Sequence, residues 1–268
     1  MLPWILVSLS RTRRFATLSR SMGLLRSFKY EQPRPDIFYS GLAVDTASLI
    51  DALARDVGGT RLAGARVLDV GGGPGYFASE FARRGAWYVG VEPDASELAA
   101  AGLSGFGSVR ANGSHLPFLD HSFDIAYSSN VVEHTPDPWG MSEEMLRVTR
   151  PGGLVIISYT VWLGPFGGHE TGLWEHYVGG DFARHRYEKK HGHPPKNVFG
   201  ESLFAVSCAE GLDWARETEA AGGGELVAAF PRYHPWWAWW MVRIPVLREF
   251  AVSNLVVVLR VPSGAAED

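Results

Sequence analysis

The segment Arg66-Val67-Leu68-Asp69-Val70-Gly71-Gly72-Gly73-Pro74-Gly75-Tyr76-Phe77 constrains the fold more than any other part of the chain. A β-branched and apolar run ends in an acid. A glycine cluster follows, and then an apolar, helix-like segment from Tyr76 to Arg84. This is a strand, a tight turn and a helix start, the first half of a βαβ unit. The glycines let the backbone take positive φ and approach a ligand closely. Pro74 has no N–H and suits a turn or the first helical position. A glycine loop can also serve structure alone, with no ligand.

Two ligand classes use such a loop. Gly73-x-Gly75-x-x-Ala78 fits the permissive dinucleotide pattern, in which a pyrophosphate sits on the helix N-terminus. Asp69 counts against that reading, because a carboxylate beside the loop repels a pyrophosphate and attracts a cation such as the α-ammonium of S-adenosylmethionine. The next strand, Trp87 to Val91, ends in Glu92-Pro93, about twenty residues beyond the loop, where a carboxylate can accept from ribose hydroxyls. That feature fixes adenosine more than it fixes the chemistry.

The spacing Asp69-x-Gly71-x-Gly73-x-Gly75 resembles the first motif of class I S-adenosylmethionine-dependent methyltransferases. Leu116-Pro117-Phe118, Ser122-Phe123-Asp124 and Arg150-Pro151-Gly152-Gly153 resemble the blocks of the methyltransferase type 11 family. The resemblance is specific from about Arg66 to Tyr159. It implies an α/β, Rossmann-like fold with a mostly parallel seven-stranded sheet and an antiparallel C-terminal hairpin. It implies S-adenosylmethionine as cofactor, held by Asp69, Gly71, Gly72, Gly73, Gly75, Glu92, Pro93, Asn112, Gly113, Ser114 and Asn130. Asn112 departs from the family's usual Asp, but its side-chain carbonyl still accepts a hydrogen bond. Short strands are expected at Ser108–Ala111, Ile125–Ser128 and Leu154–Thr160, with the hairpin at Glu225–Phe230 and Asn254–Val261.

The acceptor side is less determined. His169, in the glycine-rich loop beyond the fifth strand, His134 in Ser129-Asn-Val-Val-Glu-His134, and Glu170 are the candidate bases for an oxygen acceptor. His176, His185, His191 and His193 follow, but no acid/His spacing is diagnostic of a metal site, and none is expected. Residues 161–202 read as a cap over the substrate and 231–250 as a Trp-rich insertion, with four of the chain's ten tryptophans between Trp236 and Trp240.

Residues 1–30 form a basic N-terminal extension, with Arg11, Arg13, Arg14, Arg20, Arg26 and Lys29 and no acid; the methyltransferase domain is placed at 31–268. Phe15, Leu18, Met22 and Leu25 recur at helical spacing. Such a helix lies on an anionic membrane, or packs on the domain with a solvated basic face. Leu2 to Leu9 is too short to span a bilayer. Glu31 to Pro35 reads as a linker, and Asp36 as the N-cap of a helix to Val57 that ends at Gly58-Gly59. Tyr30 and Tyr39 are placed to close over the ligand or to pack. A formal net charge of −4 gives no reason to expect nucleic-acid binding, and a single cysteine, Cys208, excludes an intramolecular disulfide.

The expected protein is therefore a cytoplasmic enzyme, with a small-molecule or lipid-like substrate and peripheral membrane association as a further expectation. An NAD(P)-dependent oxidoreductase and a catalytically silent adenosylmethionine-binding module are the alternatives.

Overall fold

The computed structural model describes residues 8–30, 33–57, 61–95 and 107–263. Its centre is a seven-stranded sheet in the order β3-β2-β1-β4-β5-β7-β6. β1 (Arg66–Val70) lies between β2 (Trp87–Val91) and β4 (Phe123–Ser129), parallel to both. β3 (Ser108–Val109) extends β2, and β5 (Thr149–Thr160) extends β4, again in parallel. β7 (Asn254–Arg260) enters antiparallel between β5 and β6 (Glu225–Pro231). The sheet and its C-terminal hairpin match the expected architecture. The differences are at element ends: β3 keeps two residues, and β5 starts at Thr149, before the Arg-Pro-Gly-Gly turn instead of after it.

Alternation along the strands feeds two cores, one on each face, as expected for a sheet covered on both sides. Leu68, Val70, Val155 and Ile157 face α5 (Pro138–Val148) and α8 (Cys208–Ala220). Val67, Ile125, Ile156 and Val256 face α3 (Pro35–Val57) and Phe81 of α4 (Ala78–Arg83). Ser207 and Glu210 form a reciprocal capping box that starts α8. α3 is long and apolar enough to cross a membrane by length and composition. Its burial explains the apolarity: Leu49, Ile50 and Leu53 are inside the second core. The helix begins at Pro35 instead of after Asp36, so Asp36 lies inside its first turn and pairs with Arg34 just before it. Residues 31–32 of the expected linker and the stop at Gly58-Gly59 fall outside the described residues.

The basic N-terminal segment is built into the domain. α1 (Ser10–Phe15) packs on α3, and Asp56 receives the Arg11 N–H at 3.0 Å and the Thr12 N–H and hydroxyl at 2.8 Å each. A carboxylate on the first amides of a helix supplies the cap that Leu9 cannot. The chain breaks at Ala16-Thr17, and Thr17 caps α2 (Leu18–Ser27). Arg20 then grips Asp45 of α3 with two bonds of 2.6 and 2.8 Å and donates to the Arg232 carbonyl at 2.9 Å. The exposed side of α2 carries Leu18, Met22 and Leu25, which is the amphipathic pattern expected there.

The cap contains α6 (Glu175–Val178) and α7 (Gly180–His191), and the Trp-rich segment is a 3₁₀ run, Trp236–Arg243, followed by α9 (Pro245–Ala251). β6 runs parallel to β5, because both are antiparallel to β7. The Trp run therefore leaves the sheet at the same end as the glycine loop. Removing one partner of a buried ion pair leaves an uncompensated charge. Asp45→Ala should accordingly cost about 3–5 kcal/mol of stability in urea unfolding, far more than a surface pair such as Arg55–Asp51.

Candidate active site

The glycine loop leaves β1 at the carboxyl end of the parallel strands, where open α/β sheets bind ligands. The amides of Gly71 and Gly72 donate to the Val91 carbonyl at 2.8 and 3.1 Å, which locks the loop to the end of β2. Gly71 has φ +83°, and a Cβ there would run into the side chain of Val131. Only glycine fits that position. Gly73 and Gly75 also have positive φ, but a Cβ on either would meet nothing within 4 Å. Their outer side faces open space in which a ligand's backbone-like atoms can lie.

Asp69 sits beneath this loop, 2% exposed, on the face shared with α3 and α4. Its Oδ2 accepts from the hydroxyls of Tyr88 and Tyr127, both at 2.6 Å. These two residues stand on β2 and β4, the strands that flank β1. Burial raises the Asp69 pKa to about 6, against the two tyrosine bonds, which lower it; Glu92 adds a smaller push upward. Burial and the Asp69 charge raise both phenols well above their ordinary value, so they remain donors. The carboxylate thus lies buried beneath the loop, tied to the two flanking strands, and its attraction for a cationic ligand acts across the loop.

Glu92 occupies the expected place at the end of β2. Its Oε2 accepts from the Gly73 amide at 3.2 Å and its Oε1 from the Asp94 amide at 3.1 Å. A carboxylate oxygen accepts more than one bond, so bracing the loop is compatible with holding a ribose. Pro93 accepts from Arg110 through its carbonyl. Asn112 uses Oδ1 to hold the Ser114 amide at 3.0 Å, and its backbone carbonyl holds His115 at 3.0 Å. Gly113 packs so closely on Met141 and Val70 that a Cβ would sit 2.9 to 3.0 Å from them. Residues 112–115 are therefore a stiff turn. Asn130, at φ +58°, donates its amide to Ser158 at 2.7 Å and accepts from Asn254 through Oδ1 at 2.7 Å, which ties the end of β4 to β5 and β7. Tyr39 stacks on Tyr76 at 5.4 Å, so α3 reaches over the loop's exit, while Tyr30 is on the surface.

The acceptor side brings two of the three candidate bases together. His134 and His169 lie with ring centroids 5.1 Å apart. His134 Nδ1 is 2.7 Å from the Ser202 carbonyl, and a carbonyl only accepts, so Nδ1 carries the proton. His169 stands at φ +48°, and burial lowers its pKa. Glu170 does not join them. It accepts from the Asn197 amide at 2.7 Å and side chain at 2.9 Å and so pins the cap loop. Burial alone would raise its pKa, but those bonds bring it below the usual value. His176 is buried on the Gly164 carbonyl, and His191 and His193 pack around Tyr187 on α7. The residue missed from sequence is Glu133. It is 1% exposed, its Oε1 accepts from Thr160 at 2.9 Å, and it lies with His134 and His169.

The residues present fit an adenosine-bearing ligand with a cationic end: an acid at the tip of β2, a stiff polar turn after β3, and open glycine backbone over a buried carboxylate. Comparison with known proteins gives the same answer. The family described as Methyltransferase domain matches residues 68–157. A Mycobacterium marinum protein named "Uncharacterized methyltransferase" is 62% identical over 253 residues, 93% of this chain and 97% of that protein. The chain belongs to this methyltransferase family. A Mycobacterium avium methyltransferase is 60% identical over 251 residues, 92% of this chain and 97% of its own. In fold, the chain is similar to an S-adenosylmethionine-dependent methyltransferase from Mesorhizobium loti, with TM-score 0.53, 20% identity, and 80% and 97% of the two chains covered. The cofactor of the family is S-adenosylmethionine, and the oxidoreductase alternative falls away.

The Asp69 geometry has a pH signature. The native pKa of about 6 exceeds the ordinary 3.8, so the native state binds the proton more tightly. Between about pH 4 and 6 the native state then holds more protons than the unfolded state, and stability falls as pH rises. Two units correspond to roughly 3 kcal/mol. Asp69→Asn keeps an acceptor for both tyrosines without the charge. The variant, free of cofactor, should melt higher than the parent at pH 8, and the gap should close near pH 4. Equal melting temperatures at both pH values would contradict the buried ionised carboxylate. For the cofactor, Glu92→Ala should cost about 1–3 kcal/mol of S-adenosylhomocysteine binding by calorimetry, with no NAD(P) binding in parent or variant.

Proposed function

We propose that this methyltransferase acts at the cytoplasmic face of an anionic membrane and methylates an apolar, lipid-like acceptor. The carrying observation is three exposed apolar surfaces joined around the carboxyl end of the sheet. The first is α2, with Leu18, Met22 and Leu25. The second is the cap, with Trp174, Tyr177 and Val178. The third is the Trp run, in which Trp236, Trp237 and Trp240 are 48, 56 and 52% exposed. Trp239 alone of the four is stacked inward, on Phe230 at 4.2 Å. Specific contacts join the surfaces: the Trp236 amide donates to Ala16 at 2.8 Å, Phe28 packs on Phe166 at 5.3 Å, and Tyr177 faces Phe250 at 6.1 Å. Arg14, Arg26, Lys29 and Arg243 are exposed around them.

Contiguous apolar patches with a cationic rim suit an anionic lipid surface. A cavity of about 410 Å³ opens beside the Trp run, between β6, Arg13 of α1 and Arg216 of α8. β6 is four strands from β1, or about 19 Å at the usual strand spacing. That cavity is too far away to present an acceptor to the methyl group, and it suits anchoring instead. The acceptor's own approach is between the glycine loop and the cap, where Glu133, His134 and His169 stand.

Methyl transfer from a sulfonium needs alignment and exclusion of water more than it needs activation of the donor. In this reading Glu92, Asn112–Ser114 and the glycine loop hold the cofactor. An oxygen acceptor must also lose a proton, and the cluster of Glu133, His134 and His169 is the group of side chains placed to assist that loss. Glu170 acts on the cap as a positioning residue.

The test is co-sedimentation with phosphatidylglycerol or phosphatidylcholine vesicles, together with labelled-methyl transfer to extracted lipid. The full chain should bind anionic vesicles at least tenfold better than neutral ones, with binding that weakens in high salt. Trp236→Ser/Trp237→Ser/Trp240→Ser should reduce binding about tenfold or more while S-adenosylhomocysteine affinity is unchanged. Label that partitions only into water-soluble products, with no vesicle binding, would overturn the proposal.

A further inference from the structure

The two parallel strands β4 and β5 end side by side, with Ser129 opposite Ser158. The chain leaves β4 through the 3₁₀ turn Val132–His134 and leaves β5 through a glycine-rich loop to His169. This brings Glu133, His134 and His169 together: one ligand-type atom from each lies within 4.8 Å of the other two. Glu133 Oε2 and His169 Nε2 are both buried and neither has a hydrogen-bond partner. Each is therefore a desolvated polar atom whose cost nothing in the protein offsets. They do not satisfy one another. His134 has its proton fixed on Nδ1 by the Ser202 carbonyl, so its Nε2 presents a lone pair. A backbone carbonyl on the far nitrogen is how a ligating imidazole is commonly oriented. Glu133 is oriented in the same way, through Oε1 and the Thr160 amide at 2.9 Å.

We propose that Glu133 Oε2, His134 Nε2 and His169 Nε2 bind a divalent cation of the zinc class, with an open position toward the acceptor. Glu133 Oε2 and His169 Nε2 are left without a partner although they lie in one cluster with His134, and a cation bound by the lone pairs of all three satisfies what no hydrogen bond in the protein does. Two imidazoles and one carboxylate suit Zn²⁺, Co²⁺ or Fe²⁺ better than Mg²⁺ or Ca²⁺, which prefer oxygen ligands. Three protein ligands leave room for a fourth, and His134 is only partly buried. The role of the cation rests on the proposed methyl transfer to an oxygen acceptor: a hydroxyl on the open position loses its proton to solvent near neutral pH. The site itself rests on the geometry alone. It differs from the sequence expectation of no metal, because the histidines that are dense in sequence, His185, His191 and His193, are not the ones that converge.

The experiment uses the full-length protein, stripped with chelator and titrated with Zn²⁺ by calorimetry and with Co²⁺ by visible absorption. The expected result is one ion per chain and a cobalt spectrum of low coordination number. Glu133→Gln and His169→Asn should each weaken binding at least about 100-fold. Asparagine tolerates the left-handed backbone at 169, and glutamine keeps the acceptor for Thr160, so both variants should still bind S-adenosylhomocysteine. His191→Ala/His193→Ala should leave the stoichiometric site intact. No stoichiometric ion, binding that survives both site variants, or binding lost only with His191 and His193 would each overturn the inference. S-adenosylhomocysteine binding in the same samples reports separately on the methyl-transfer reading.

Discussion

The buried carboxylate of Asp69 is the constraint on which the rest of the cofactor side depends. It lies at the end of β1 and takes a hydroxyl from each neighbouring strand, Tyr127 on β4 and Tyr88 on β2. Three adjacent strands beneath the glycine loop are therefore tied to one atom. The loop above is held by the Val91 carbonyl and by Glu92, so the sheet sets its height and tilt. The arrangement is electrostatically incomplete by itself. Two neutral donors do not offset the desolvation of a full negative charge, which is why the pKa rises. A ligand with a positive end placed over the loop draws the carboxylate into its ionised form. Selectivity for a cationic cofactor over a pyrophosphate then follows from the interior of the protein as well as from its surface.

Much of this was legible in the chain. The glycine loop, the acid about twenty residues later, the Leu-Pro-Phe and Arg-Pro-Gly-Gly blocks and the C-terminal hairpin are local patterns, and local patterns survive into the fold. The expectations that needed distant partners were not legible. Asp69 reads as a ligand contact, and its tyrosine partners lie 19 and 58 positions away. Glu170 reads as a base beside His169, yet Asn197 in the cap takes its carboxylate. Glu133 reads as one acid in a helix-entry turn, and its meeting with His169 depends on the adjacency of β4 and β5. The N-terminal basic run reads as an appendage, because nothing near it in sequence announces Asp56 and Asp45 as the groups that receive it.

That N-terminal docking changes how its charges are to be understood. Of the six cationic residues between Arg11 and Lys29, Arg20 is committed to a buried pair, and Arg11 leans on Asp56. Arg14, Arg26 and Lys29 remain exposed, as do the apolar Leu18, Met22 and Leu25 of α2. A helix of this composition, tied to the Trp run by the Trp236–Ala16 bond, has its orientation set by the core and not by the lipid it is proposed to meet. Such a surface is preorganised, and binding does not also have to order it.

The position of β7 has a consequence for how the molecule is made. Among the described residues it is the last strand in chain order, yet it is an interior strand, hydrogen-bonded along β5 on one side and β6 on the other. Until residues 254–260 have been synthesised, β5 keeps an open edge and β6 has no neighbour in the sheet. Leu154 waits for Arg260 across more than a hundred residues of sequence. Long-range pairing of this kind is slow and leaves an apolar edge exposed while it is pending. A ribosome translating this chain therefore holds a nearly complete parallel half-sheet with one unprotected side, and the emergence of residues 254–260 is the event that seals it.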